Sequence, residues 1–376
     1  MKRFLIRLHT SNGAQFRLGQ SALDDVASLM HSDTLFGALV NLQALIEGQK
    51  QTRELVTAME NGEIKFSSGL FGLQLSWQDT PVYFVPKPAL RYERPEQGGA
   101  NLIIDRQEKK RTGKIQFVSL GVLEDLRNAL EEDFVCKVDW KTYAEIGKVF
   151  VCQHKELGLS LDKHKDHLGA LSRSAFCQTL VSTKVLVHTD RETDRLYTEA
   201  NLQFRTIHLP PVQESVEPAT AQGFFYVLLD CTPKWEEQLK LLFAVMADHG
   251  IGGQRTNGMG LLKDVCFDDM PETFKHHEKG KGFSVSLCIP EDQTAFEKVR
   301  QYELILRGGG SLIGDGYRAE QDSSNYARKR IQLIREGALL TEPIQGSIKD
   351  ITPSGLPANG ETVTVKRNGL CYALPL

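Results

Sequence analysis

Along residues 2–8 the apolar side chains Phe4, Ile6 and Leu8 fall on alternate positions, so the spacing predicts a half-buried strand. A polar loop follows. Leu35, Leu39, Leu42 and Ile46 then recur at helical spacing, with Ser32 or Asp33 as cap and Gly48 past the end. Residues 63–72 and 81–85 read as strands, the second stopped by Pro86 and Pro88. From about 89 to 200 the periodicity weakens. Residues 119–131 suit a helix, while 91–114 and 155–175 are polar, and no clean hairpin signal appears within 150–220. This whole stretch reads as insertions in one compact domain, with about 89–131 and 151–220 ordering only on a partner.

Regular patterning returns at 223–231, a buried strand. Thr232-Pro233 opens a helix with Trp235, Leu239, Leu242 and Met246 on its inner face. That helix ends at Gly250, a glycine-rich loop runs to Gly260, and 261–267 reads as a strand. A charged linker spans Asp268 to Lys281. A second unit begins at 283–289, with a short helix at 292–300, a strand at 302–307 and a last strand pair near 344–351 and 362–374; residues 328–340 mix both signals. The expected class is α+β: a first unit over 1–268 in split β-α-β order, with insertions at about 89–150 and 151–220, and a second over 282–376.

The chain has 376 residues, 41% of them hydrophobic and 25% charged, enough for real cores. A net charge of −3 excludes a global basic field, so any nucleic-acid affinity must come from local patches and backbone donors. The amino-terminal apolar run stops at Arg7, too short for a signal peptide. Runs such as 241–247 fall far below a membrane span. The seven cysteines lack a CxxC spacing, which fits reduced thiols in a cytoplasmic protein.

Three motifs are candidates for chemistry. His31-Ser32-Asp33-Thr34-Leu35-Phe36-Gly37 spans a loop-to-helix junction, where free backbone amides make a ready anion site. The plainer reading makes Ser32 and Asp33 caps and His31 a surface residue. The loop from Gly250 to Gly260 carries Gly252, Gly253, Arg255, Thr256 and Asn257. It follows a helix and opens a strand, the reverse of a dinucleotide fingerprint. Its glycines suit close approach to an RNA backbone; a long turn is the alternative. The third, Gly308 to Arg318, is as well explained by a turn as by an RNA contact. The basic cluster Arg106, Lys109, Lys110, Arg111 and Lys114 reads as a solvated loop able to touch RNA. Asp162, His164, Asp166 and His167 lie close in sequence but lack a metal-ligand spacing, so no metal is expected. No nucleophile elbow, kinase motif or paired carboxylates appear, so neither catalysis nor a cofactor is expected.

The run from His31 to Leu39 resembles the RAMP (repeat-associated mysterious protein) subunit that caps the 5′ tag of the guide RNA in type III-A CRISPR effectors. The loop Gly250–Gly260 is similar to that family's glycine-rich loop. Pro86-Lys87-Pro88, the basic stretch 109–118, Ser286 to Pro290 and Asn368 to Ala373 also resemble family patterns. The resemblance implies two RRM-like (ferredoxin-like) domains, with a β-hairpin thumb within 150–220 of the first. It implies a non-catalytic, cytoplasmic subunit that grips the tag and serves antiviral defence. Its partners would be the guide RNA, the large signalling subunit and the backbone RAMP subunit, with no membrane. The residues assigned to RNA are His31, Ser32, Asp33, Thr34, Lys87, Lys109, Lys110, Arg111, Arg173, Gly252, Gly253, Arg255, Thr256, Asn257 and Arg318. Two alternatives remain: a guide-processing endoribonuclease using His31 as general acid/base, and a structural subunit that never touches RNA.

Overall fold

The computed structural model of the chain describes residues 1–18, 27–93, 110–160, 164–186, 195–211, 218–274, 277–308, 328–353 and 364–376. In chain order its main elements begin with β1 (Lys2–His9), α1 (Ser32–Glu47) and α2 (Gln49–Glu60). β2 (Leu70–Leu75), β3 (Val82–Pro86), β4 (Phe117–Ser119) and α3 (Leu120–Asn128) come next. β5 (Ala144–Ile146), β6 (Phe150–Cys152) and α4 (Lys165–Arg173) lead to the long pair β7 (Cys177–Leu186) and β8 (Arg195–Phe204). β9 (Ala219–Cys231), α5 (Glu236–His249) and β10 (Asp264–Asp269) complete the amino-terminal unit.

One large sheet runs β10-β1-β9-β2-β3-β4-β6-β5, with two short strands, Ile64–Phe66 and Ile207–Leu209, also paired to β9. Its first four strands are mutually antiparallel. With α1 between β1 and β2, and α5 between β9 and β10, they trace a βαββαβ path in the order fourth, first, third, second. Leu35, Leu39 and Leu42 of α1 are buried as their spacing predicts, but Ile46 is 43% exposed. Gly48, with φ +84°, closes α1, and α2 starts directly beyond it. The mostly polar α2 sequence masks a buried stripe of Leu55, Val56, Ala58 and Met59.

The weakly patterned middle of the chain is packed structure. β4, β6 and β5 extend the main sheet, and their Phe117 and Phe150 stack with ring centroids 4.9 Å apart. Phe71 meets both edge-on at 5.0 and 5.4 Å. Phe84, Phe176, Phe204 and Phe225 complete an aromatic core that spans β2 to β9. The expectation that residues 89–131 wait for a partner to order them is therefore corrected for 110–131, whose apolar side chains this core already covers. β7 and β8 form the hairpin that the sequence did not announce, paired from Cys177↔Phe204 to Leu186↔Arg195. Its base is fastened where β8 pairs with Gln15–Phe16. Val181, Val185 and Leu196 share the more exposed face of the hairpin, so its apolar positions do not mark the buried side as they would in a half-buried strand.

The stretch expected to be a linker is strapped down as well. Phe274 is buried against Tyr83 and Tyr226, and its carbonyl accepts from Arg3 Nη2 at 3.1 Å. Beyond it, Gly282–Ser284 pairs with both Leu339–Leu340 and Ala373–Pro375. Leu304–Arg307 pairs with Ile331–Ile334, and Lys349–Asp350 with Lys366–Arg367. Among the described residues these are one three-stranded and two two-stranded sheets. The ambiguous stretch 328–340 resolves into strands, and the expected short helix is Gln293–Glu297, capped by Asp292. Phe283, Val285, Leu339, Leu370, Tyr372 and Leu374 of this unit belong to the same core as the amino-terminal sheet. A smaller cluster around Cys288, Val299, Ile334, Leu340 and Cys371 is its own.

Candidate nucleic-acid interface

Two of the three glycine- or hydroxyl-bearing motifs lie within the described residues, and the structure treats them in opposite ways. The first is the start of α1. No side chain caps it in the usual manner. Ser32 instead turns inward, where its amide donates to Ser68 Oγ at 2.9 Å and its own Oγ accepts from the Leu287 amide at 3.1 Å. His31 Nδ1 lies 2.8 Å from Glu336 Oε1, with both side chains 2% exposed, and Ser68 also donates to that carboxylate. Burial pushes Glu336 up, but His31 and Ser68 outweigh it and hold the carboxyl below its ordinary value.

Asp33 is buried beside this pair. Arg307 grips it with both ends of its guanidinium, Nε to Oδ2 at 2.9 Å and Nη2 to Oδ1 at 2.7 Å, and also donates to Thr34 Oγ1 at 3.1 Å. Arg367 adds a third bond to Oδ2 at 3.0 Å. Burial alone would raise the Asp33 carboxyl; Arg307, Arg367 and His31 together hold it below the usual carboxylate range. Neither plain reading of this motif survives: His31 is not a surface residue, and neither Ser32 nor Asp33 is a helix cap. All three, with Thr34, tie the amino-terminal unit to residues 287–367. Arg307, Glu336, Arg367 and Ser68 were missed by the sequence reading because only the fold brings them to α1.

The second motif is the loop after α5. Gly252 and Gly260 have φ of +92° and +80°, and a Cβ on either would lie 2.6 Å or less from a backbone oxygen, that of Arg17 or of Ile251. The close approach is to the chain itself. The Gly253 amide donates to Arg17 O at 2.9 Å and the Gly260 amide to Gln15 O at 2.8 Å, which fastens the loop to the strand that also anchors the β7–β8 hairpin. Buried Ile251 holds its root, while Gly253, Thr256, Asn257 and Gly258 are exposed at its tip. Arg255 is half-buried and forms no ion pair among the described residues. The motif thus presents an uncommitted guanidinium and exposed polar side chains on a braced loop beside the hairpin.

The other candidates scatter. Lys87 Nζ sits over the rings of Tyr92 and Trp140 at 4.5 and 4.7 Å and donates to Thr112 O, and burial pushes its pKa down to about 8. It lines a cleft of about 450 Å3, shared with Gln116, Arg335 and Glu336. Lys110 is exposed, whereas Arg111 pairs with Glu145 on the edge strand β5. Arg173 is exposed at the last turn of α4. Lys109 and Arg318 lie outside the described residues, as do Arg106 and Asp162. Among the described residues, no group of three metal-ligating side chains occurs and no helix is long and apolar enough to cross a membrane. The seven cysteines are free thiols, five of them buried.

Comparison with known proteins fits this geometry. No family model matches the chain. A CRISPR-system Csm4 protein of Methanocaldococcus jannaschii is 24% identical over 93% of this chain and 89% of its own length. The chain is a homologue of Csm4. The fold agrees across its whole length. A Csm4-containing Csm3–Csm4 subcomplex of a type III-A interference complex holds a chain that superposes with TM-score 0.62 at 19% identity, over 99% of both chains. A Csm1–Csm4 cassette solved with pppApA gives 0.54 at 15% identity, covering 100% of this chain and 98% of that one.

Proposed function

We propose that this Csm4 homologue is a non-catalytic subunit of a type III CRISPR interference complex, where it holds the repeat-derived 5′ tag of the guide RNA. The observation that carries the reading is its likeness to Csm4 along nearly its full length. The relatives solved together with Csm3 and Csm1 supply the partners: a backbone subunit and a large subunit of those kinds. The βαββαβ order of β1, β2, β9 and β10 supports an RRM-like first domain. The hairpin β7–β8 supports a thumb where the family resemblance expects one. The setting is cytoplasmic and the complex serves antiviral defence.

Within this reading the RNA-facing residues are those at the tip of the loop after α5, above all Arg255, Thr256 and Asn257, with Arg173 and Lys110 as outlying cations. Single-stranded RNA is read by stacking and by bonds to base edges, while cations on the backbone supply affinity. The burial of His31 against Glu336 speaks against its use as a general acid/base, which supports the non-catalytic reading. The test is co-purification of the assembled complex with chains carrying Arg255→Ala or Gly253→Asp. A fixed-length small RNA with a common 5′ tag should accompany the unaltered chain and be depleted in both variants. Equal RNA retention in both folded variants would remove this loop from the interface, and accumulation of uncut guide precursors in a His31→Ala variant would restore the nuclease reading.

A further inference from the structure

The cluster at the start of α1 carries more positive charge than its internal partners need. Arg307 and Arg367 are 6% and 5% exposed, and both already bind Asp33. Arg328 is a third guanidinium in the same field: burial lowers its pKa, Asp33 opposes that and Arg307 adds to it, yet it hydrogen-bonds to neither. Its Nε is shut off from solvent and has no partner. Three guanidiniums thus face one carboxylate. Glu336, another buried acid at the start of α1, is engaged by His31 and Ser68 through Oε1, while its Oε2 has no partner. Burial lowers the Arg367 pKa to about 10, with Arg307 and Arg328 adding to the effect and Asp33 opposing it.

A buried N–H donor without an acceptor costs on the order of 1–3 kcal/mol, more for a charged group, so such groups persist where something else satisfies them. The missing group must accept several hydrogen bonds, carry negative charge and fit a planar fork. A phosphate oxygen pair does all three. The first turn of α1, whose amides give it partial positive character, lies in the same place. Lys329 and Arg330 flank Arg328 and are exposed, so an approaching anion meets cations before it reaches the half-buried fork.

We propose that Arg328, backed by Arg307 and Arg367, binds a phosphate group at the seam between the two units. This adds to the RNA-holding reading and rests on it only for the carrier of that phosphate. Such a ligand would bridge α1 and the carboxy-terminal strands, so occupancy should stiffen the seam.

The test uses the full chain in thermal unfolding. Inorganic phosphate is titrated against chloride at matched ionic strength, with Arg328→Gln and Arg328→Lys compared to the unaltered protein. Both variants leave the Asp33 pairs intact, and a Tm without phosphate close to that of the unaltered chain confirms that each is folded. Phosphate should raise Tm beyond chloride in the unaltered chain. Arg328→Gln should lose most of that rise, and Arg328→Lys should keep only part of it, having charge but no fork. An equal rise in the Arg328→Gln variant, or none in the unaltered chain, overturns the proposal. A second arm measures binding of single-stranded RNA against salt. If RNA carries the phosphate, the salt slope should fall by about one in the Arg328→Gln variant. An unchanged slope with a lost phosphate response overturns RNA as the carrier and assigns the site to a small phosphorylated molecule. Intact RNA binding with no phosphate response leaves the RNA-holding reading standing and removes this site.

Discussion

The start of α1 and the loop after α5 look alike as sequence, each a short polar motif where a helix meets a loop, yet the fold uses them differently. At α1 the polar groups are consumed: Asp33 is bound by two arginines, and His31 by Glu336. After α5 the backbone is consumed while the tip is left over, with Gly253 and Gly260 bonded to Arg17 and Gln15 and Arg255 unpaired among the described residues. The difference teaches that a motif's hydrogen-bonding capacity says nothing of its availability. That depends on what the rest of the chain places opposite.

The largest effect should come from breaking the α1 seam. Asp33→Ala leaves Arg307 and Arg367 buried without their carboxylate, a change that costs about 3–5 kcal/mol in comparable buried pairs. Urea unfolding should show it, and a loss under about 1 kcal/mol would mean that the arginines find other partners. A smaller loss belongs to the loop root. Gly260→Ala forces a Cβ to within 2.1 Å of Ile251 O at a positive φ, and should cost about 1–3 kcal/mol while weakening RNA retention through the displaced tip. Unchanged Tm in that variant would show that the loop is not braced as described.

Acid should act on the seam before the loop. Asp33 and Glu336 both have carboxyls held below their unfolded values, so their contribution is present above the ordinary carboxylate range and lost as pH falls through it. Tm should therefore drop between about pH 5 and pH 2, and Glu336→Gln should flatten that drop. A pH profile identical to that of the unaltered chain would place the acid-sensitive groups elsewhere. The smallest change in stability should follow Arg255→Ala, within about 0.5 kcal/mol because the side chain has no ion pair among the described residues to lose. The same variant should lower the salt slope of RNA binding by about one. A large stability loss without any RNA effect would erase the contrast between the two regions.

Much of the fold is legible in the chain because local physics writes it there. β1 announces itself by alternation, α1 by the spacing of Leu35, Leu39 and Leu42, and α5 by its Thr232-Pro233 start and its inner stripe. The short strands β4, β5 and β6 are three residues each, too few for a period, and Phe117 and Phe150 of β4 and β6 are recognisable as core only beside Phe71. The hairpin β7–β8 hid for a different reason: much of its surface meets solvent, and Val181, Val185 and Leu196 put apolar residues on its more exposed face, where polar ones would be expected.

Sequence by itself determined the α+β class, the βαββαβ path at the amino-terminal end, the position of the glycine loop and, through the run from His31 to Leu39, the likeness to a CRISPR subunit. Tertiary structure alone decided which polar residues are free. Asp33 and Arg367 are 334 positions apart, and no local rule pairs them. Burial makes the pairing obligatory, because a carboxylate taken out of water must find cations, and the chain brings those cations to α1 only when the carboxy-terminal strands close over it.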